Sequence, residues 1–453
     1  MIISPRLPEI NGLVGKFPWK SFVGQHLLMM MVGILNHRGR MSAQQAASAI
    51  VGGSRHRASV GRFLKRHGQQ LPWISYQCSE RLLRLVNSRG RYVFIVDTTN
   101  VGHQGEHTPN TFSTGNRRRR PAKGRRYSKY RRASRSCHAF VWGLLITPDG
   151  RRIPSFRSYY TREYCQKHKR RHRTQADLAA ELVGTLRVPK HAEVIVLGDT
   201  AFESRQLRAA CDERGFYWIM PANPERVLGG AKPRPQLWSL TKQFRSEMFA
   251  PLRLQPNEGP LAAMRRLSSS RRGPKTKPRT FYVHEERRAV HSIGEVRIVF
   301  STKHQPQPGK PLQRDETKIL LSNAQHLSVA EIVELYLLRW QIELFFKELK
   351  SSLGMHQYGF RDFRCVQAWM EIYCITFLYL EWIRAKRVRS SKTARQRQWW
   401  SGQRTHGLSL AVCERLAEAQ LVTLQRHTET KTGMQKLRKL LRNALANEYR
   451  NAA

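Results

Sequence analysis

The chain has 453 residues, with 80 Lys and Arg against 32 Asp and Glu, so its formal net charge is +48 with His counted as neutral. Domains usually hold roughly 100–200 residues, so this length predicts more than one domain. A hydrophobic content of 40% excludes a disordered basic tail and does not suit a membrane protein. Because so much like charge repels itself in a compact state, we expect a polyanionic partner, and nucleic acid fits better than a lipid surface.

Seven cysteines are scattered along the sequence without a CxxC spacing, and their number is odd. We therefore expect buried, reduced thiols rather than a disulfide framework or a structural zinc site. The N-terminus lacks the charged and apolar regions of a signal peptide. Of two apolar runs, residues 26–35 are too few to span a membrane and residues 366–383 include Glu371 and Glu381. Both runs predict buried helices in a cytoplasmic protein.

The first 88 residues contain twelve basic side chains but only two acidic ones, and their apolar pattern is helical. Within them, residues 42–66 predict a helix-turn-helix. Ser42 can cap a first helix, the pair Gly52 and Gly53 breaks it, and the following serine can cap a second. A basic helical hairpin of another kind remains the alternative.

The second helix of this motif begins with basic residues, among them Arg55, Arg57 and Arg62. A basic helix in this position is typical of one that enters the major groove of DNA. Its predicted core-facing residues are Val60, Phe63 and Leu64. Residues 1–88 are therefore predicted to be a helical DNA-binding region.

Beyond residue 91 the apolar pattern changes from helical to strand-like. Residues 92–96 form a continuous apolar run that ends in Asp97, and residues 193–197 form another that runs into Gly198 and Asp199. Further strands are predicted at 138–147, 153–160 and 216–220, and helices at 174–186 and 204–214. This order of three strands, helix, strand, helix and strand predicts an α/β RNase H-like core, a mixed sheet with flanking helices.

Residues 117–135 carry many basic side chains and no acidic one, which predicts a solvated arm that becomes ordered on phosphate. The helical period is lost between residues 221 and 322, where Pro and Gly are frequent. Strand-like runs occur there at 280–284, 295–301 and 318–321. This region is predicted to be a mostly β insertion. A long helix follows at 327–354, and Ser328 with Glu331 forms its capping box.

The predicted organisation interrupts one core with one insertion and adds helices at both ends. The segments are the helical region 1–88, the first part of the core 89–222, the β-rich insertion 223–325, the second part of the core 326–385 and a helical C-terminal region 386–453. Within the last segment, residues 386–397 are predicted to be a basic link, and residues 408–449 to be helical.

Three carboxylates are the candidate catalytic residues. Asp97 and Asp199 each follow an apolar strand, where open α/β sheets place their sites, and Glu343 lies on the predicted helix after the insertion. Carboxylates without competing Cys or His ligands suit Mg²⁺ or Mn²⁺. Two such ions roughly 3.5–4 Å apart can drive an in-line displacement at phosphorus. The sequence therefore predicts a two-metal site for phosphodiester transfer.

Tyr336, Arg339, Glu343 and Lys350 follow one another at spacings of 3, 4 and 7 residues, so one continuous helix would present all four on one face. Arg339, Lys350 and Tyr336 are expected to bind phosphate oxygens, the arginine through bidentate contacts. A solvated helix face is the structural alternative.

The pattern Tyr336-x2-Arg339-x3-Glu343-x6-Lys350 resembles the YREK signature of bacterial insertion-sequence transposases of the DDE class. Residues 96–98 and 198–202 resemble the first and second Asp motifs of that family, and the resemblance covers about residues 90–355. Thr200 is a departure, because the family often has Arg after the second Asp.

The resemblance implies cut-and-paste transposition through hairpin ends, with double-stranded DNA at the transposon ends and at the target. A flipped base would stack on an aromatic side chain of the insertion, for which Trp238 is the candidate; a core position is the alternative. Trp340 beside Arg339 is expected to be packed. The C-terminal helices are expected to support a homodimer that holds both ends together, or else to form a generic helical cap. The expected location is the bacterial cytoplasm, in association with the nucleoid.

Two other functions remain open. An RNase H-like nuclease or Holliday-junction resolvase would use the same core without strand transfer, but it would not need a separate helical DNA-reading region or a long insertion. A non-catalytic DNA-binding protein, such as a regulator or a degenerate transposase, would not need the three carboxylates and the Tyr/Arg/Glu/Lys pattern, and both are complete here.

Overall fold

A computed structural model gives the architecture of most of the chain. The described residues are Leu7, 10–14, 21–36, 57–86, 89–103, 108–113, 136–230, 234–255, 261–265, 278–402, 407–409, 411–414 and Gln435. The first helix of the predicted helix-turn-helix, the basic arm at 117–135 and most of the predicted helical region 408–449 lie outside these residues. No helix in the described ranges is long and apolar enough to cross a membrane.

The strands agree closely with the predicted apolar runs. They are β1 (Arg91–His103), β2 (Phe112–Ser113), β3 (Ser136–Ile146), β4 (Arg152–Ser158), β5 (Glu193–Leu197), β6 (Tyr217–Pro221), β7 (Ala250–Leu254), β8 (Arg279–Val290), β9 (Gly294–Thr302) and β10 (Thr317–Ser322). Within the described residues these ten strands form one sheet in the order β2-β3-β1-β5-β6-β10-β9-β8-β7, with β4 also paired to β3.

Helices flank the sheet and extend from it at both ends of the chain. The α-helices are α1 (Ile10–Val14), α2 (Phe22–Leu35), α3 (Arg57–His67), α4 (Leu71–Leu83), α5 (Arg162–Lys167), α6 (Gln175–Gly184), α7 (Arg205–Glu213), α8 (Ala262–Arg265), α9 (Val329–Leu337), α10 (Trp340–Lys347), α11 (Phe363–Ser390) and α12 (Ala394–Gly402). The side chains of Thr174 and Ser204 cap α6 and α7, the two helices predicted between the core strands.

The core of the sheet has the RNase H-like topology that was predicted. Strands β4, β3 and β1 are antiparallel neighbours, whereas β1, β5 and β6 run parallel. The apolar run 92–96 in the middle of this sheet is fully buried, as expected for a strand covered on both faces. Strand β1 continues to His103 beyond its apolar part, because its polar end remains paired with β3.

The insertion extends the same sheet rather than forming a separate one. Strands β8, β9 and β10 contain the three runs predicted from the sequence, and each pairs antiparallel with its neighbour. Strand β10 also pairs antiparallel with β6, where Leu320 lies opposite Pro221. The insertion is therefore joined to the core by backbone hydrogen bonds.

The predicted long helix 327–354 is not one uninterrupted α-helix. Its capping box forms as predicted, because Ser328 and Glu331 cap each other's backbone N–H groups. Between α9 and α10 the amides of Leu338 and Arg339 bond to carbonyls only three residues back, which tightens the chain locally. After α10, residues Glu348–Ser352 form a π-helical turn. The backbone therefore departs from the regular repeat of 3.6 residues per turn on both sides of α10.

The long apolar helix α11 is buried as predicted and packs against the N-terminal helices α2, α3 and α4 and against β4. The predicted link 386–397 is wrong in detail, since α11 continues to Ser390 and α12 starts at Ala394. That segment contains no Gly or Pro to stop a helix. Six of the seven cysteines are buried as predicted, and Cys413 is partly exposed.

A buried ion network joins three elements beneath the sheet. The guanidinium of Arg152 on β4 is 1% exposed, and its Nη1 lies 2.9 Å from Glu348 Oε2 in the π-helical turn. Its Nη2 lies 3.2 Å from Oε1 of the equally buried Glu381 on α11, and Arg384 Nη1 lies 2.8 Å from that same oxygen. Because a buried charge is costly unless it is paired, this network fixes the end of the helix that follows Glu343.

Replacing Arg152 with Met is expected to destabilise the fold, because two buried carboxylates lose their shared partner. Breaking a buried pair typically costs about 3–5 kcal/mol. Urea unfolding followed by circular dichroism measures this change. The matched control is Arg173→Met, which removes an exposed ion pair with Glu181 and is expected to leave the midpoint nearly unchanged. Equal midpoints for both variants would contradict the role assigned to the network.

Candidate active site

Parallel pairing of β1 with β5 brings two of the predicted carboxylates together. Ile95 lies opposite Leu197 in this register, so continuing it by two residues places Asp97 next to Asp199. The parallel ladder ends at Leu197, and the chain then turns away in a short 3₁₀ turn that Asp199 caps, its Oδ1 accepting from Ala201 N at 2.9 Å. Both side chains therefore lie at the carboxyl edge of the parallel strands.

The carboxylate of Asp97 is partly buried and has one close backbone donor. Its Oδ1 accepts a hydrogen bond of 2.7 Å from Thr98 N. Burial raises the pKa of Asp97 to about 6, and the nearby negative charges of Asp199 and Glu343 add to this increase. The hydrogen bond from Thr98 and the charge of Arg339 act in the opposite direction. The three predicted carboxylates are thus close enough to interact electrostatically.

Arg339 lies between the strand and the helix that carry these carboxylates. Its Nη2 donates to Glu343 Oε1 at 2.7 Å, one helical turn away on α10, and its Nη1 lies 3.7 Å from Asp97 Oδ2. Its side chain is also hydrogen-bonded to the Tyr336 phenol, and burial raises the pKa of that phenol. One guanidinium therefore partly neutralises two acids that would otherwise repel each other.

Lys350 lies beside the same strand as this cluster but further along it. Its Nζ donates to Asn100 O at 3.0 Å, three residues beyond Asp97 on β1. Seven helical residues and three strand residues each advance by about 10 Å, so this contact does not contradict the predicted shared face. Burial lowers the pKa of the Lys350 ammonium.

The three carboxylates suit a hard divalent cation in their donor chemistry, since no Cys or His competes with their oxygens. Among the described residues, however, no three Asp, Glu, His or Cys side chains lie close enough to hold a metal ion together. The Arg339 guanidinium provides the positive charge beside Asp97 and Glu343 instead.

The other predicted DNA-contacting residues lie away from the carboxylates or outside the described residues. Arg62 is exposed on α3, where Val60, Phe63 and Leu64 are buried as predicted. Arg57 begins the same helix, and Arg55 precedes the described part of it.

Two tryptophans differ in their surroundings. Trp238 is partly buried in a 3₁₀ helix of the insertion, Leu237–Gln243, where its backbone N–H donates to Pro224 O at 3.0 Å. The expectation that Trp340 is packed is wrong, because its side chain is 55% exposed. It occupies the first position of α10.

One charged residue near the carboxylates was not predicted from the sequence. Lys318 is the second residue of strand β10, and its ammonium interacts electrostatically with Asp199 and Arg339. The sequence showed only a lysine at the start of an apolar run. Its proximity to Asp199 depends on the pairing of β10 with β6, which joins residues about a hundred positions apart.

Two family models match the sequence. A model described as "Transposase DDE domain" matches residues 157–379, which include Asp199 and Glu343. A model described as "DDE superfamily endonuclease" matches residues 22–243, which include Asp97 and Asp199. Each match covers just under half of the chain. Together they support a DDE transposase and indicate a nuclease-type enzyme.

No curated protein matches the chain. Among solved structures, the chain is similar to the piggyBac transposase in its synaptic complex with hairpin DNA, with a TM-score of 0.45 and 10% sequence identity. The similarity covers 93% of this chain and 75% of the other. The RNase H-like assignment rests on the strand order of this protein and not on that similarity.

Asp97→Asn is expected to stabilise the metal-free protein. The pKa of Asp97 is raised to about 6 in the folded state, so ionising this group opposes folding. The free energy of unfolding of the wild type therefore falls as pH rises from about 4 to above 6. The gain on substitution should be on the order of 1–3 kcal/mol at pH 8 and smaller at pH 5. Thermal unfolding in EDTA at both pH values measures it.

The matched control for this measurement is Asp177→Asn on α6. The pKa of Asp177 is lowered, chiefly by the hydrogen bond from the Thr174 backbone in its capping box. Its charge therefore stabilises the fold above the unfolded pKa, so this substitution should lower the midpoint equally at pH 5 and pH 8. A lower midpoint for Asp97→Asn at pH 8 would show that its charge is not disfavoured.

Proposed function

We propose that this protein is a DNA transposase that binds the terminal inverted repeats of a bacterial insertion sequence, cuts at them and joins the ends to target DNA. The observation that carries the proposal is the proximity of Asp97, Asp199 and Glu343, with Arg339, at the carboxyl edge of an RNase H-like sheet. The matched transposase and endonuclease families support the same class of chemistry.

Asp97, Asp199 and Glu343 would hold Mg²⁺ or Mn²⁺, and two such ions would activate the attacking oxygen and stabilise the leaving oxygen. The protein's own contribution is to keep the three carboxylates near one another. The pairing of β1 with β5 does this for the two aspartates. The ion pair between Arg152 and Glu348, five residues beyond Glu343, fixes the end of the helix that carries the third carboxylate.

Arg339 and Tyr336 would bind the non-bridging oxygens of the reacting phosphate or a flanking phosphate. An arginine that pairs with two carboxylates in the absence of DNA can exchange them for phosphate oxygens, which it binds in the same bidentate manner. Lys350, held against β1 at Asn100, would bind a phosphate further along the strand. A hairpin intermediate with a flipped base stacked on Trp238 is the corresponding proposal for the insertion.

End recognition is assigned to residues 1–88, the predicted helical DNA-binding domain, with Arg55, Arg57 and Arg62 facing DNA. The exposure of Arg62 above a buried Val60, Phe63 and Leu64 supports this orientation of α3. A homodimer would hold the two ends of the element together, with the C-terminal region as its contact. The proposed location is the bacterial cytoplasm, at the nucleoid.

Removing any one of the three carboxylates is expected to abolish cleavage. The substrate is a supercoiled plasmid that carries the gene with its native flanking DNA, incubated with Mg²⁺. Asp97→Asn, Asp199→Asn and Glu343→Gln should each reduce nicking by at least about 10³-fold, since each removes a metal ligand. Asp315→Asn, which changes an exposed aspartate of the insertion, is the matched control and should cut normally.

Two further readouts separate this function from the alternatives. Gel shift of the flanking DNA should be nearly unchanged in the three carboxylate variants, because the binding surface is elsewhere. Products in which the element's end is covalently joined to a second plasmid distinguish a transposase from a nuclease or resolvase. Full cleavage by any carboxylate variant would overturn the assigned triad, and nicks without joined product would overturn transposition.

A further inference from the structure

The start of strand β10 lies at the same edge of the sheet as Asp199. Strands β5 and β6 run parallel, so both end at this edge. Strand β10 runs antiparallel to β6, with Leu320 opposite Pro221, the last residue of β6. The pairing continues one step further, since Ala222 N donates to Ile319 O at 3.0 Å. Lys318 therefore lies just beyond the end of β6, on the Asp199 side of the sheet.

The charge of Lys318 interacts with two residues of the candidate active site. Lys318 is exposed, but partial burial lowers the pKa of its ammonium, Arg339 lowers it further, and Asp199 raises it. An ammonium beside a guanidinium is unfavourable unless an anion lies near both. In the absence of DNA, Asp199 partly supplies that anion, and a DNA phosphate would supply it more completely.

Lys318 forms no ion pair with any described residue, whereas Arg339 is paired with Glu343. Its strand neighbours Thr317 and Ile319 are buried, but Lys318 itself is exposed. Its ammonium can therefore bind an anion at the Asp199 edge of the sheet.

We propose that Lys318 binds the DNA phosphate that reacts at the Asp97, Asp199 and Glu343 site, so that the β-rich insertion contributes a substrate-contacting residue to the active site. This inference rests on the proposed function. Lys318 donates from its ammonium to a non-bridging oxygen of the phosphate, while Arg339 binds the same group from the residue before α10. One cation thus comes from the last strand of the insertion and the other from the helical segment that follows it.

The first test compares three variants in single-turnover cleavage. The probe is a short DNA duplex that contains the cleavage position mapped on the plasmid. Lys318→Ala should lower the rate at saturating protein by about 10–100-fold, as expected for one electrostatic donor at a reacting group. Lys318→Arg should restore most of the rate. Lys310→Ala, which removes an exposed lysine from the loop before β10, is the matched control and should cut at the wild-type rate.

The second test asks whether the contact is to the reacting phosphate. A neutral methylphosphonate at the cleavage position removes the charge that Lys318 binds. The residual cleavage of this probe is measured in Mn²⁺, and there the rates of the wild type and Lys318→Ala should agree within about threefold. Affinity for the duplex, measured by fluorescence anisotropy in EDTA, should change by less than about threefold. Thermal unfolding should be unchanged, because the side chain is exposed.

The outcomes separate the inference from the proposed function. If the carboxylate variants are inactive but Lys318→Ala cuts like Lys310→Ala, the inference is overturned and the transposase proposal stands. An undiminished penalty on the methylphosphonate probe also overturns it, since the lysine would then act away from the reacting phosphate. If the carboxylate variants cut normally, the proposed function itself fails.

Discussion

Parallel pairing of β1 with β5 is the constraint on which the candidate site depends. It brings Asp97 and Asp199 to the same edge of the sheet, where two like charges and partial burial both oppose ionisation. The protein compensates with positive charge from outside the sheet. Arg339 approaches from the helix after the insertion and contacts both Asp97 and Glu343.

Two ion-paired arginines tie the segment that carries Glu343 to the sheet. Before this segment, Arg91 at the start of β1 pairs with Glu193 at the beginning of β5 and with Glu331 in the capping box of α9. After it, Arg152 pairs with Glu348 in the π-helical turn. These arginines bridge elements that are distant in sequence. Three of the 32 acidic residues thus help to position the strands and the helical segment that carry the site.

The elements of the core could be predicted from the sequence because each is a local pattern. The apolar runs before Asp97 and Asp199 are strands, and the capping box of Ser328 begins a helix. The tightened turn at Arg339 and the π-helical turn at Glu348 could not be predicted, because no Pro or Gly marks them and tertiary contacts decide them.

Pairings between strands that are far apart in the chain also could not be predicted from the sequence. Nothing local shows that β1 continues past Asp97 to His103, since its polar end is stabilised by β3. Likewise, the position of Lys318 follows only from the register of β10 on β6. The residue types of the site were therefore predictable, whereas the mutual placement of its cations required the fold.

The continuous sheet also limits how the insertion can move. A domain attached by flexible linkers can swing relative to the site it serves, but β7 to β10 are joined to β6 by successive ladders of backbone hydrogen bonds. Bending at those ladders would break bonds that no solvent replaces in a buried strand. The pairing of β10 with β6 therefore opposes free rotation of the insertion relative to Asp199.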